Sequence, residues 1–186
     1  RELTERVEEV PGLPEQNEEG PFVHYGDIVD ELIAHCKKYH FSHVEVMPLS
    51  EFPFDGSWGY QVSGFYSTTS RYGTPLELKE FVNKLHGAGI GVIMDFVPVH
   101  FVKDDYALAY FDGTPLYEYA KHEDADSEWG TSNFDLWKES VRSFLMSAAN
   151  YWLHEYHFDG LRMDAISNAI FWKGNKMRGE NKGATD

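Results

Sequence analysis

The chain has 186 residues, 42% of them hydrophobic and 16% aromatic, enough apolar surface to build one domain around a buried core. Its 16 basic residues against 31 acidic ones leave a formal charge of −15, a field that repels nucleic acid and anionic membrane but leaves a neutral ligand unaffected. No apolar run reaches the length of a membrane span, and residues 1–9 are charged and lack the apolar core of a signal peptide. The single cysteine, Cys36, excludes an internal disulfide and suits a reducing cytoplasm. The chain opens on Arg1 rather than Met, so the expectation is a chain that starts within a longer one.

Residues 1–24 are polar and punctuated by Pro11, Gly12, Pro14, Gly20 and Pro21, and read as loop. A helix is expected over about 27–39, capped by Asp27, with Ile28, Leu32, Ile33 and Cys36 on one apolar face. A short strand over about 43–47 follows and is ended by Pro48. The stretch 49–73 then reads as a long loop in which Gly56, Gly59, Gly64 and Gly73 alternate with aromatic residues. Loops of that length are functional or disordered, and the aromatic content argues against disorder.

The second helix is announced by Thr74-Pro75-Leu76-Glu77: an N-cap, a proline at the first helical position and a capping-box glutamate. Leu78, Phe81, Val82 and Leu85 make its buried face, and Gly87 and Gly89 stop it. Residues 91–97 read as a buried strand around the apolar run Val92-Ile93-Met94. A long segment, 98–135, carries two acidic patches, Asp104-Asp105 and 123–128, both read as solvated surface. A third helix is expected over about 136–155, with Val141, Phe144, Leu145, Ala148, Trp152 and Leu153 on one face, and a strand over about 158–164.

Helices and strands alternate, which specifies a parallel α/β sheet with crossover helices. The long insertions follow strands, while the links from helix to strand are short. A (β/α)8 (TIM) barrel has that asymmetry, because the loops at the carboxyl ends of its strands build the active site. A doubly wound sheet gives a similar pattern, but no glycine-rich phosphate turn follows any strand. The expected fold is therefore α/β, a partial (β/α)8 barrel of about three to four βα units, with the whole of 1–186 belonging to that one barrel domain.

Two of the expected strands end in carboxylates: Asp95, within Val92-Ile93-Met94-Asp95-Phe96-Val97-Pro98-Val99-His100, and Asp164, within Asp159-Gly160-Leu161-Arg162-Met163-Asp164-Ala165. A carboxylate closing an apolar strand needs a rim position or a partner. Arg162 lies two residues before Asp164, so both side chains point to the same side of the strand. A cation there favours an ionised carboxylate fit for nucleophilic attack; a structural salt bridge is the alternative.

The segments ending at His100 and at Ala165 resemble two short signatures of the α-amylase superfamily. Within it, the loop Glu51-Phe52-Pro53-Phe54-Asp55-Gly56-Ser57-Trp58-Gly59-Tyr60-Gln61 resembles that of the 1,4-α-glucan (glycogen) branching enzymes. So do Arg71-Tyr72-Gly73-Thr74-Pro75, Asp112-Gly113-Thr114-Pro115-Leu116-Tyr117-Glu118 and Glu128-Trp129-Gly130-Thr131. The resemblance runs from about residue 22 to the end of the chain. It implies cleavage of an α-1,4 link by retaining double displacement and transfer of the chain to a 6-hydroxyl, making an α-1,6 branch. It also implies roles: Asp164 as nucleophile, Arg162 as its support, Tyr60 as the aromatic that stacks on the sugar at the cleavage point, His100 as a hydrogen-bonding partner of that sugar, and Asp95 as the acidic residue that organises the site. Trp58 is read as a support for its loop rather than a sugar contact, and Cys36 as core.

The resemblance implies an α-1,4-glucan partner (glycogen, amylose or amylopectin), no cofactor and no metal. It places the acid/base glutamate and a transition-state-stabilising aspartate on later strands, so the chain is expected to be a catalytic-barrel fragment, inactive alone and with sheet edges prone to association. Two other readings stay open: an α-glucan hydrolase of the same superfamily, and a non-catalytic glucan-binding module.

Overall fold

The computed structural model describes residues 22–170, so most of the loop expected over 1–24 lies outside the described residues. Helix α1, Tyr25–Tyr39, is followed by strand β1, His43–Val46. Helix α2, Pro75–Gly87, leads into β4, Gly91–Phe96, and helix α4, Glu139–Glu155, leads into β7, Gly160–Met163. These three strands form one parallel sheet in the order β1-β4-β7. Helix–strand alternation in the sequence thus becomes adjacent, parallel strands joined by helical crossovers.

The two faces of the sheet differ. Val44 pairs in register with Val92, Val46 with Met94, and Met94 with Leu161. These residues, with Phe96, join one apolar cluster with Leu78, Phe81, Val82 and Leu85 of α2 and with Val141, Leu145, Ala148 and Trp152 of α4. Burial of this cluster is the main source of stability, at about 25 cal/mol per Å² of apolar surface removed from water. The alternate positions, including Glu45, Ile93, Asp95 and Arg162, point to the opposite face. Trp152 is fully buried, and its indole N–H donates to the Phe65 carbonyl at 2.9 Å, so its polar edge is satisfied inside the core.

The α2 start is as expected. Thr74 accepts from the Glu77 amide at 3.3 Å, and the Glu77 carboxylate accepts from the Thr74 amide at 2.6 Å. These bonds hold the Glu77 carboxyl below the usual carboxylate range. The α1 start differs from expectation. The N-cap is His24, and Asp27 sits in the first turn, its amide donating to the His24 carbonyl. The buried stripe is Tyr25, Val29 and Cys36; Leu32 and Ile33 are half-buried, and Ile28 is exposed in an apolar cleft with Leu32, Val46 and Phe81. A single aromatic, Tyr25, rotates the helix by packing 5.5 Å from Phe81.

Both long loops carry secondary structure of their own. Residues 49–73 contain β2, Ser50–Glu51, paired antiparallel with β3, Gly64–Thr68. Residues 98–135 contain β5, His100–Phe101, the short helix α3, His122–Ala125, and β6, Ser132–Asn133, which pairs antiparallel with β5. A turn of helix, α5, Ser167–Ile170, follows β7.

Candidate active site

Asp95 lies next to last in β4, opposite Arg162 of β7 in the parallel register, and Asp164 follows the end of β7. The Asp164 amide donates to the Phe96 carbonyl at 2.9 Å, fixing the backbone just past the sheet. Both carboxylates therefore stand at the carboxyl edge of the parallel strands, where α/β barrels collect their chemistry.

Arg162 connects them. Its Nη1 donates to both Asp95 oxygens, at 2.8 and 2.9 Å, and to Asp164 Oδ1 at 2.7 Å. The Tyr60 hydroxyl completes the set by donating to Asp95 Oδ2 at 2.6 Å. Asp95 is 3% exposed, so its charge is compensated by one guanidinium and one phenol rather than by water. Asp164 is more open and has Arg162 as its side-chain partner. The Asp95 hydrogen bond, with attraction from both carboxylates, holds the Arg162 guanidinium well above its ordinary value. Burial first, and then the bond to Asp95, pushes the Tyr60 phenol up to about 12. Four of the five expected site residues are thus one hydrogen-bonded unit.

His100 stands apart from that unit. It begins β5 and is buried, and its Nδ1 has no hydrogen-bond partner among the described residues. Burial pushes its pKa down to about 4, so it is neutral at pH 7. Its ring lies 5.0 Å from that of Trp129. Gln61, next to Tyr60, donates to the Trp129 carbonyl at 3.2 Å, linking the Tyr60 loop to the His100 side.

Tyr60 is placed by a sharp turn. Trp58 has φ 55 and Gly59 φ 90, and a Cβ at Gly59 would fall 2.6 Å from the Pro48 carbonyl oxygen. Trp58, expected to support the loop, projects from it with 69% of its surface exposed. The support comes from Arg71. Its guanidinium reaches Glu51 at 2.9 Å, Asp55 at 2.6 Å and the Phe52 carbonyl at 2.8 Å, and lies 4.0 Å from the Phe52 ring centre. Sequence reasoning assigned no role to Arg71, Gln61 or Trp129. A lone arginine beside a loop bearing Glu51 and Asp55, and a tryptophan beside a glycine in a polar turn, were the available signals.

Among the described residues, no group of three or more His, Cys, Asp or Glu side chains is arranged to hold a metal ion, and no helix is long and apolar enough to cross a membrane. The network offers a half-buried carboxylate, Asp164, a cation that orients it, and an aromatic residue, Tyr60, tied to that cation through Asp95.

Comparison with known proteins matches residues 29–129, more than half of the chain, to the alpha amylase catalytic domain family. Curated relatives include a 1,4-alpha-glucan branching enzyme of Geobacillus stearothermophilus, 48% identical over 94% of this chain, and one of Bacillus caldolyticus, 50% identical over 90%. The chain spans 28% and 25% of the lengths of these two proteins. Among solved structures, a candidate α-amylase of Salmonella typhimurium superposes with a TM-score of 0.65 at 31% identity, over 79% of this chain and 24% of that one. An Anoxybacillus α-amylase superposes with 0.66 at 22% identity, over 75% and 33%. These neighbours agree with the parallel sheet and helical crossovers of a partial (β/α)8 barrel, and the chain belongs to the α-amylase catalytic-domain family.

Proposed function

We propose that this chain forms the nucleophile-bearing part of a 1,4-α-glucan branching enzyme. The observation that carries the reading is the linked set Tyr60–Asp95–Arg162–Asp164 at the carboxyl edge of the sheet, in a chain whose curated relatives are named branching enzymes. Asp164 attacks the anomeric carbon and forms a glycosyl–enzyme ester while the leaving 4-oxygen takes a proton. Arg162 holds the attacking carboxylate in place. Asp95 anchors Arg162 and Tyr60, leaving the Tyr60 ring to stack on the sugar being cleaved. His100, neutral at pH 7, supplies a hydrogen bond to that sugar.

Asp95 is fully engaged by Arg162 and Tyr60 and so is not free to act as the acid/base carboxyl, a role that the resemblance to branching enzymes gives to a glutamate on a later barrel strand. The same carboxyl then deprotonates the incoming 6-hydroxyl, which displaces Asp164 and leaves an α-1,6 branch with retained configuration. The substrate is an α-1,4-glucan such as glycogen, amylose or amylopectin. A cytoplasmic setting accords with the buried, unpaired Cys36.

The test is product analysis of the full-length protein on amylose. Branching creates α-1,6 links, read by proton NMR, with little gain in reducing ends. Asp164→Asn is expected to lower that rate by about 10³-fold or more, the scale seen when a nucleophile is removed. Reducing ends that rise in step with cleavage indicate the hydrolase instead. Glucan binding without turnover indicates the binding module.

A further inference from the structure

Trp129 is held in place by polar bonds to its backbone, while its side chain stays in the open. It sits in a turn in which the amides of Trp129 and Thr131 donate to Ser127 Oγ at 3.2 and 3.1 Å, and the Ser127 amide donates to the Thr131 carbonyl at 2.9 Å. Gly130 closes the turn at φ 75, and Gln61 fixes the Trp129 carbonyl from the Tyr60 loop. The indole itself contributes little to the core. It leans on His100 at a tilt of 35° and keeps 42% of its surface exposed.

A tryptophan kept for packing buries its ring and finds a partner for its N–H. This one instead presents a rigid aromatic surface whose ordering cost has already been met in the unliganded protein. Its position is defined from two sides: His100 under the ring, and Gln61, adjacent to Tyr60, on its backbone. An aromatic face is electron-rich, and one side of a glucose ring presents a patch of polarised C–H bonds that stacks on such a face.

We propose that Trp129 is a stacking platform for a glucosyl unit of the α-1,4-glucan next to the unit contacted by His100 and Tyr60, a binding position that rests on the glucan reading above. The platform fixes the chain on the His100 side of the site, so it acts on binding of longer oligosaccharides more than on bond cleavage. His100 is neutral, so its contact with Trp129 is ring against ring and leaves the indole free of a cation that would compete for its face.

The test uses the full-length protein and maltoheptaose as probe, with binding measured by calorimetry and folding by thermal unfolding. Trp129→Ala and Trp129→Leu are expected to weaken binding about tenfold, and Trp129→Phe to stay within about threefold of wild type. The leucine variant keeps apolar volume without an aromatic face, so it decides the matter if the alanine variant does not fold. On amylose, KM is expected to rise more than kcat falls. A wild-type protein that binds maltoheptaose while Trp129→Leu binds it equally well overturns the platform alone. A wild-type protein that binds no maltoheptaose overturns the glucan reading, and the platform with it.

Discussion

Arg162 serves two carboxylates of different character through one nitrogen, Nη1. Asp95 is buried and anchors; Asp164 is more open, with 21% of its side chain exposed. The guanidinium is itself 44% exposed, so the strength of the pair comes from geometry and from the burial of Asp95 rather than from isolation of the cation. Asp95 also controls Tyr60. In Asp95→Asn the phenol loses its charged acceptor but keeps its burial, so the Tyr60 pKa is expected to fall from about 12 while staying above its ordinary value of 10. Ultraviolet difference titration of Asp95→Asn against Asp95→Asn/Tyr60→Phe reads that change, and an unchanged midpoint contradicts it. The Arg162–Asp164 pair was legible in the sequence from their spacing of two on a strand. The Tyr60–Asp95 bond spans 35 residues and was not. Nothing in either segment announces the other, and only the loop motif pointed to Tyr60.

Among the elements, legibility followed periodicity. Helix α2 was readable to its cap because proline, threonine and glutamate each have one favoured place at a helix start. The stripe of α1 was displaced because Tyr25, outside the expected helix, packs on Phe81 and sets the rotation. Strands β2, β5 and β6 have two residues each, too short to carry an alternation, and they pair only because the surrounding loops bring them together. In the first of these loops Arg71 adds a polar clamp to the buried Leu49, Phe52, Val62 and Phe65. Removing it in Arg71→Ala leaves Glu51 and Asp55 without their cation and uncovers Phe52, at an expected cost of about 1–3 kcal/mol in denaturant unfolding. Arg71→Lys is expected to recover less than half of that, because an ammonium can neither fork between two carboxylates nor stack on a ring. Full recovery by lysine means that charge alone holds the loop.

At the scale of the whole molecule, the chain separates stability from chemistry across one sheet. The helical face of β1, β4 and β7 carries the apolar cluster, and the opposite face carries Glu45, Ile93, Asp95 and Arg162. The two inserted loops then bring Tyr60 and the His100–Trp129 pair to the same carboxyl edge as Asp164. Helix–strand alternation and loop asymmetry made the parallel sheet and a site at its carboxyl edge legible in advance, but not the division between its two faces. The joining of the loops, through the Gln61 side chain and the Trp129 carbonyl, links residues 68 apart and became visible only in three dimensions.

In the proposed mechanism one carboxylate, Asp164, becomes covalently bound to the sugar, so the most direct measurement is to trap it. The full-length protein is treated with a fluorinated α-glucosyl fluoride, which slows breakdown of the glycosyl–enzyme ester, then digested and mapped by mass spectrometry. The expected result is one fluoroglucosyl adduct, on Asp164, absent from Asp164→Asn. An adduct on another carboxylate, or sustained branching by Asp164→Asn, contradicts the assignment of Asp164 as nucleophile.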